Sequence, residues 1–147
     1  MNRQSADTVI GRPPEEVFAY MDDVSLEHEW QPNLHTAEQD PPGPSRVGTH
    51  KRYVTKFLGR EVANTYVVRE IEPGRRVVYE TTKDSAIAAT SEITWERIGS
   101  GTRVTMVIEG KPKGVLKLIP RKVLEAAYRE QLESALQSLK ERLETGG

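Results

Sequence analysis

No cysteine occurs among the 147 residues, which removes disulfides, a thiol nucleophile and thiolate metal ligation together. Histidine is scarce as well. Only His28, His35 and His50 are present, and none stands four residues from another histidine or a carboxylate, the helical spacing of a metal pair. All three are therefore expected at the surface, with no metal and no other cofactor. Neither sign of charge is in excess: 21 Lys and Arg face 22 Asp and Glu, a formal net charge of −1, which argues against a nucleic-acid surface. No apolar run approaches the roughly 18 residues that span a bilayer. The start Met1-Asn2-Arg3-Gln4-Ser5 is polar and has no apolar signal core, so a cytoplasmic location is expected. No glycine-rich loop opens a helix to cradle a phosphate. Gly99-Ser100-Gly101 joins two strand-like runs, which makes it a hairpin turn and not a nucleophile elbow. With no internal repeat and no low-complexity linker, one domain over residues 1–147 is expected.

What is present has an unusual order. Pro13-Pro14-Glu15-Glu16 opens a helix, because proline has no N–H to lose in the first turn and the two acids sit at the positive end of the helix dipole. A second short helical run ends at Trp30-Gln31-Pro32. Strand-length runs follow at Leu34–Gln39, Val47–Leu58, Glu61–Glu72, Arg75–Lys83, Ala86–Arg97 and Thr102–Glu109, separated by turn residues such as Gly59, Pro73-Gly74, Asp84-Ser85 and Gly99-Ser100-Gly101. With a short, polar first strand ending at Thr8–Ile10, about seven strands are predicted, and the short connections imply an antiparallel meander.

Period-two alternation assigns the faces. Val104, Met106 and Ile108 share one side of their strand, with Arg103, Thr105 and Glu109 on the other. By the same rule Ile93 and Trp95 point inward, as do Val77 and Tyr79, then Val62, Asn64, Tyr66 and Val68, and finally Tyr53 and Phe57; His50 falls on the opposite face from Tyr53. After Pro120, Leu124, Tyr128, Leu132, Ala135, Leu136, Leu139 and Leu143 recur at the three-and-four spacing of a helix with one apolar stripe. A sheet with one apolar face and one long amphipathic helix bury each other best when the sheet curves around the helix.

The chain resembles the START-like or Bet v 1-like (SRPBCC) superfamily, and within it the bacterial polyketide cyclase/dehydrase and lipid-transport-type proteins. The likeness runs nearly end to end: Ile10-Gly11-Arg12-Pro13-Pro14-Glu15-Glu16-Val17-Phe18-Ala19-Tyr20 with Asp22-Asp23, Trp30 with Pro32, Val47-Gly48-Thr49, Leu58-Gly59-Arg60, Glu70-Ile71-Glu72-Pro73, Gly101-Thr102-Arg103-Val104-Thr105, and the leucines of the closing helix. It implies an α+β helix-grip fold in which an antiparallel sheet wraps a long C-terminal helix around a hydrophobic cavity. It also implies a ligand such as a lipid or a polyketide-like molecule. No cyclase or aromatase catalytic set can be matched residue by residue.

Trp30, Tyr53, Phe57, Asn64, Tyr66, Tyr79, Trp95, Met106, Leu124 and Tyr128 are the candidate ligand-binding residues. Pockets of this kind are mostly apolar and aromatic with a few orienting polar groups, and Asn64 is the inward amide that needs a partner. Binding or transport of a small hydrophobic ligand is the leading reading. The alternatives are a cyclase or aromatase, which requires an ionisable group inside the pocket, and a co-chaperone-like interaction module, which requires an exposed apolar patch in place of a cavity. Residues 111–122 mix bases with Val115, Leu116, Leu118 and Ile119, a pattern that fits either a gate over the cavity or peripheral contact with an anionic membrane. A monomer or homodimer is expected.

Overall fold

The structure, a computed structural model, describes residues 3–145; Met1 and Asn2 of the polar start lie outside the described residues. Seven strands form one antiparallel sheet: β1 (Arg3–Ile10), β2 (Leu34–Asp40), β3 (His50–Phe57), β4 (Arg60–Glu72), β5 (Arg76–Thr81), β6 (Ile87–Ile98) and β7 (Gly101–Pro112). Their spatial order is β1-β7-β6-β5-β4-β3-β2, so β2 to β7 run as a meander and β1 closes the far edge. Helices α1 (Pro14–Asp22) and α2 (Glu27–Trp30) follow β1, and α3 (Arg121–Thr145) ends the described chain. This is the helix-grip fold, with the sheet curved around α3.

The turn chemistry does what was expected of it. Leu58 and Gly59 carry φ of 51° and 78°, the paired positive values of a two-residue hairpin whose twist matches its strands. Two strands run longer than the sequence pattern indicates. The first strand starts at Arg3 and pairs with β7 from Arg3↔Glu109 to Ile10↔Thr102; its polar Arg3, Ser5 and Asp7 are exposed, while Gln4 and Ile10 are buried. β7 continues past Glu109 to Pro112 because Gly110 is a strand glycine and not a breaker. A Cβ there would lie 2.2 Å from the Ala88 carbonyl oxygen, so only glycine permits this approach to β6. β3 starts at His50, since Gly48 holds a φ of 94° and the chain is still turning there.

Two apolar clusters fill the grip. One joins Ile10, Val17, Trp30, Val77, Trp95 and Val104 to Leu136, Leu139 and Leu143 of α3; the other joins Phe57, Val62, Ile87 and Ile108 to Leu116, Leu124 and Tyr128. The C-terminal end of α3 is latched to the loop after β1. Glu144 accepts from the Gly11 N–H at 2.8 Å, Arg12 Nε donates to the Leu143 carbonyl at 2.9 Å, and Lys140 Nζ donates to the Val9 carbonyl at 2.6 Å.

The other end of α3 is held differently. Ahead of Pro120 the chain makes a 3-10 turn over Gly114–Leu118, closed by 3.2 Å bonds from Leu116 N–H to the Lys113 carbonyl and from Ile119 N–H to the Leu116 carbonyl. Only Leu116 of this turn is buried. With Leu116 and the half-buried Ile119 as its apolar anchors, the segment is lightly held and opens at low free energy. Amide exchange in residues 113–119 is therefore expected to be faster than in 124–139 and to slow when an apolar ligand fills the cavity. Exchange as slow as in α3 and indifferent to ligand would remove the gate.

Candidate functional site

Between the inner sheet face and α3 lies a cavity of about 130 Å³, close to the size of apolar cavities that admit one benzene ring. Eight aromatic residues stand in its wall. Tyr53, Tyr66 and Tyr79 stand on adjacent strands in successive contact, with ring centroids 5.9 and 6.3 Å apart. Phe57 packs on Tyr128 at 4.6 Å, and Trp95 meets the edge of Phe18 at 5.0 Å while its Nε1 donates to Met21 Sδ at 3.3 Å. Trp30, Asn64 and Met106 complete the predicted lining.

Leu124 is the exception among the predicted residues. It is buried in the second cluster with Ile87 and Leu116, beyond the end of the cavity, because the stripe of a helix this long serves both the cavity and the packed core. Asn64, in the cavity wall, has a structural task besides. Its Oδ1 accepts from the Ala86 and Ile87 N–H groups at 2.9 and 3.2 Å, so the amide braces the β5–β6 turn. The three histidines are exposed, and among the described residues no three His, Asp or Glu side chains converge as a metal site.

The sequence reading missed the polar end of the cavity, where Asp22, Glu27 and Gln31 join the wall beside Tyr53. Lys51 is the base of this cluster and is only 1% exposed. It shares strand parity with Tyr53 and Phe57, the one signal that could have marked it as inward. Its Nζ donates to Asp22 Oδ1 and to the Asp22 backbone carbonyl, both at 3.1 Å. Asp22 ends α1, so Lys51 neutralises a carboxylate and satisfies a helix-terminal carbonyl at once. The Ser45 hydroxyl and N–H complete the Asp22 shell at 2.5 and 3.0 Å.

Glu27, 2% exposed, opens α2 after the turn capped by Asp23. Tyr53 donates its hydroxyl to Glu27 Oε1 at 3.0 Å, and Glu27 Oε2 has no hydrogen-bond partner. Burial pushes the Glu27 carboxyl up to about 7; Lys51, the Tyr53 hydroxyl and, outside normal hydrogen-bond geometry, the Gln31 amide hold it from rising further. Burial also raises the phenols: Tyr66 to about 12, and Tyr53, Tyr79 and Tyr128 upward as well. The tyrosines therefore stay neutral donors near neutral pH, while Glu27 can hold or release a proton there.

Residues 1–144 match the family described as polyketide cyclase/dehydrase and lipid transport. The chain belongs to this family. Among solved structures, TTHA0849 from Thermus thermophilus is similar with a TM-score of 0.83 at 21% identity, covering 96% of each chain. A START superfamily protein from Mycobacterium smegmatis gives 0.82 at 14% identity over 100% of each chain. The Zhui aromatase/cyclase from Streptomyces sp. R1128 gives 0.77 at 15% identity over 99% of this chain and 97% of its own. At these identities the likeness fixes the START-like helix-grip fold. No curated protein matches the sequence.

Proposed function

We propose that this polyketide cyclase/dehydrase family member binds a small hydrophobic molecule in the cavity between sheet and α3, with the polar end at Glu27 orienting it. The observation that carries the reading is an aromatic-walled cavity of about 130 Å³ left open inside an otherwise packed grip. A well-packed interior of this size tolerates few voids larger than a water molecule. The presence of the cavity favours a ligand over the co-chaperone-like alternative, which calls for an exposed apolar patch in place of a cavity.

Ser91 on β6 lines the cavity and carries little packing of its own, so it is the place to fill the space without cutting into the core. Ser91→Phe is expected to abolish uptake of an apolar fluorescent dye while changing folding stability by no more than about 1–2 kcal/mol. Undiminished uptake by a folded Ser91→Phe variant sinks the site. Trp95 is a poorer handle, because its contacts with Phe18 and Met21 make it part of the core.

Two further readings have observations of their own. Glu27 is an ionisable group inside the cavity, as a cyclase-type enzyme requires. Peripheral membrane contact through residues 111–122 is supported by Leu118, 84% exposed beside Lys117, Arg121 and Lys122. Co-sedimentation with anionic vesicles that is lost in Leu118→Glu is the expected result for that contact, and no sedimentation of the wild type ends it.

A further inference from the structure

Two residues that line the cavity each carry a polar atom sealed from solvent and without a partner, Glu27 Oε2 and Trp30 Nε1, so a ligand meets them only after a small turn of each side chain. The two residues are three apart on α2, which places their Cβ atoms about 5–6 Å apart on one helix face. One is an acceptor and the other a donor. Leaving both unmade costs free energy that a bound molecule can recover. Lys51 is spent on Asp22, and Glu27 Oε1 on the Tyr53 hydroxyl.

We infer that the ligand is a neutral aromatic molecule bearing a hydroxyl, which donates to the free oxygen of Glu27 and accepts from the Trp30 indole N–H. This deepens the proposed function and rests on its reading of the cavity. A hydroxyl is the smallest group that is donor and acceptor together. A ketone satisfies the indole but gives an ionised Glu27 nothing. An ammonium satisfies the carboxylate and confronts the indole N–H with a positive charge. A carboxylate ligand would bring a third anion to a corner that holds Asp22 and Glu27 against Lys51 alone. Once Glu27 is ionised, fatty-acid-like anions are thus disfavoured by charge before shape is considered. Glu27 Oε2 is shielded from solvent in the unfilled cavity, but the terminal torsion of a glutamate is soft, so one oxygen can turn to the ligand while the other keeps Tyr53. The ladder of Tyr53, Tyr66 and Tyr79 rings offers stacking or edge contacts to a planar body.

The groups facing Glu27 are Lys51 and Tyr53 from β3, Asp22 from α1, Gln31 just past the end of its own helix and Tyr79 from β5. Of these, Glu27 is the one that changes charge near neutrality, and a donated hydroxyl favours its ionised form. Affinity for a neutral hydroxyl ligand should then rise with pH.

The test uses four naphthalenes of one shape: 2-naphthol, 2-methoxynaphthalene, 2-naphthoate and 2-naphthylmethylammonium, titrated against the whole protein by fluorescence and calorimetry. 2-Naphthol is expected to bind at least tenfold more tightly than the methyl ether at pH 8, with naphthoate not binding and the ammonium weaker than the naphthol. The naphthol affinity should rise about tenfold from pH 6 to pH 8 as a carboxyl with a pKa of about 7 ionises. Glu27→Gln should abolish that rise, and Glu27→Met should make naphthol and its ether equal; thermal melts establish that each variant is folded. Tyr53→Phe, which keeps Glu27 and removes one of its stabilising bonds, should move the midpoint of the rise to higher pH. Equal binding of naphthol and ether by the wild type, or preference for naphthoate or the ammonium, overturns the hydroxyl anchor and leaves the cavity reading intact. If none of the four enters and an apolar dye also fails, the cavity reading falls, and this inference with it.

Discussion

Lys51→Met is expected to destabilise the protein by about 3–5 kcal/mol, the cost of stripping the partner from a buried charge. Methionine fills nearly the same volume, so little of that loss is packing. What remains is the Asp22 carboxylate, its side chain only 10% exposed, with the two Ser45 bonds as its support and the last carbonyl of α1 uncovered. The double variant Lys51→Met/Asp22→Asn should recover a large part of the loss, since it removes the orphaned charge together with its cause. Urea denaturation of the two single variants and the double variant measures the coupling. Additive losses would mean that the pair does not act as a unit. The same pair ties the end of α1 to β3, so the variant is also expected to loosen the polar end of the cavity.

The second large effect is a pH dependence that one substitution should erase. Glu27 sits at about 7 in the folded protein against an ordinary 4.5, with burial the leading cause. The folded state holds this proton more tightly than the unfolded chain does. Its contribution to stability is therefore full below about 4.5 and is lost as pH rises to about 7; over that window the loss is on the order of 3 kcal/mol. Glu27→Gln keeps the shape and has no proton to lose. Its stability should be flatter between pH 5 and pH 8, and it should exceed the wild type at the alkaline end. Parallel curves for the two proteins would show that Glu27 is not held protonated by burial. A stabilised Glu27→Gln fits a residue kept for function at a cost to folding.

The frame of the molecule was legible because strands, turns and the long helix each have a local cause. Alternation on β6 and β7 placed Trp95, Met106 and Ile108 inward, and positive φ at Leu58-Gly59 closes the hairpin that the glycine marked. The polar end was not legible for equally physical reasons. A lysine in a strand reads as solvent-facing, since an ammonium is rarely buried, and only the distant Asp22 makes Lys51 tolerable inside. Glu27 in the first turn of a short helix reads as a partner for the helix dipole, and nothing local reveals that β3 brings Tyr53 over it. Gly110 shows the same limit from the opposite side: a glycine after a strand-like run reads as a stop, whereas the neighbouring strand is what requires it.

The unequal fastening of α3 gives the cavity an adjustable roof. Gly11, Arg12 and Val9 hold the helix at its C-terminal end, while its other end meets the 3-10 turn before Pro120. A helix of 25 residues is about 37 Å long at 1.5 Å per residue, so a tilt of about 5° around the latched end would carry the other end, held by the packing of Leu124 and Leu116, about 3 Å. Such a tilt would change the height of the chamber without breaking a single strand pairing. On the proposed reading, ligands of different thickness would be met by repacking at Leu124 and Leu116, and size selectivity would be a matter of how stiffly that end is packed.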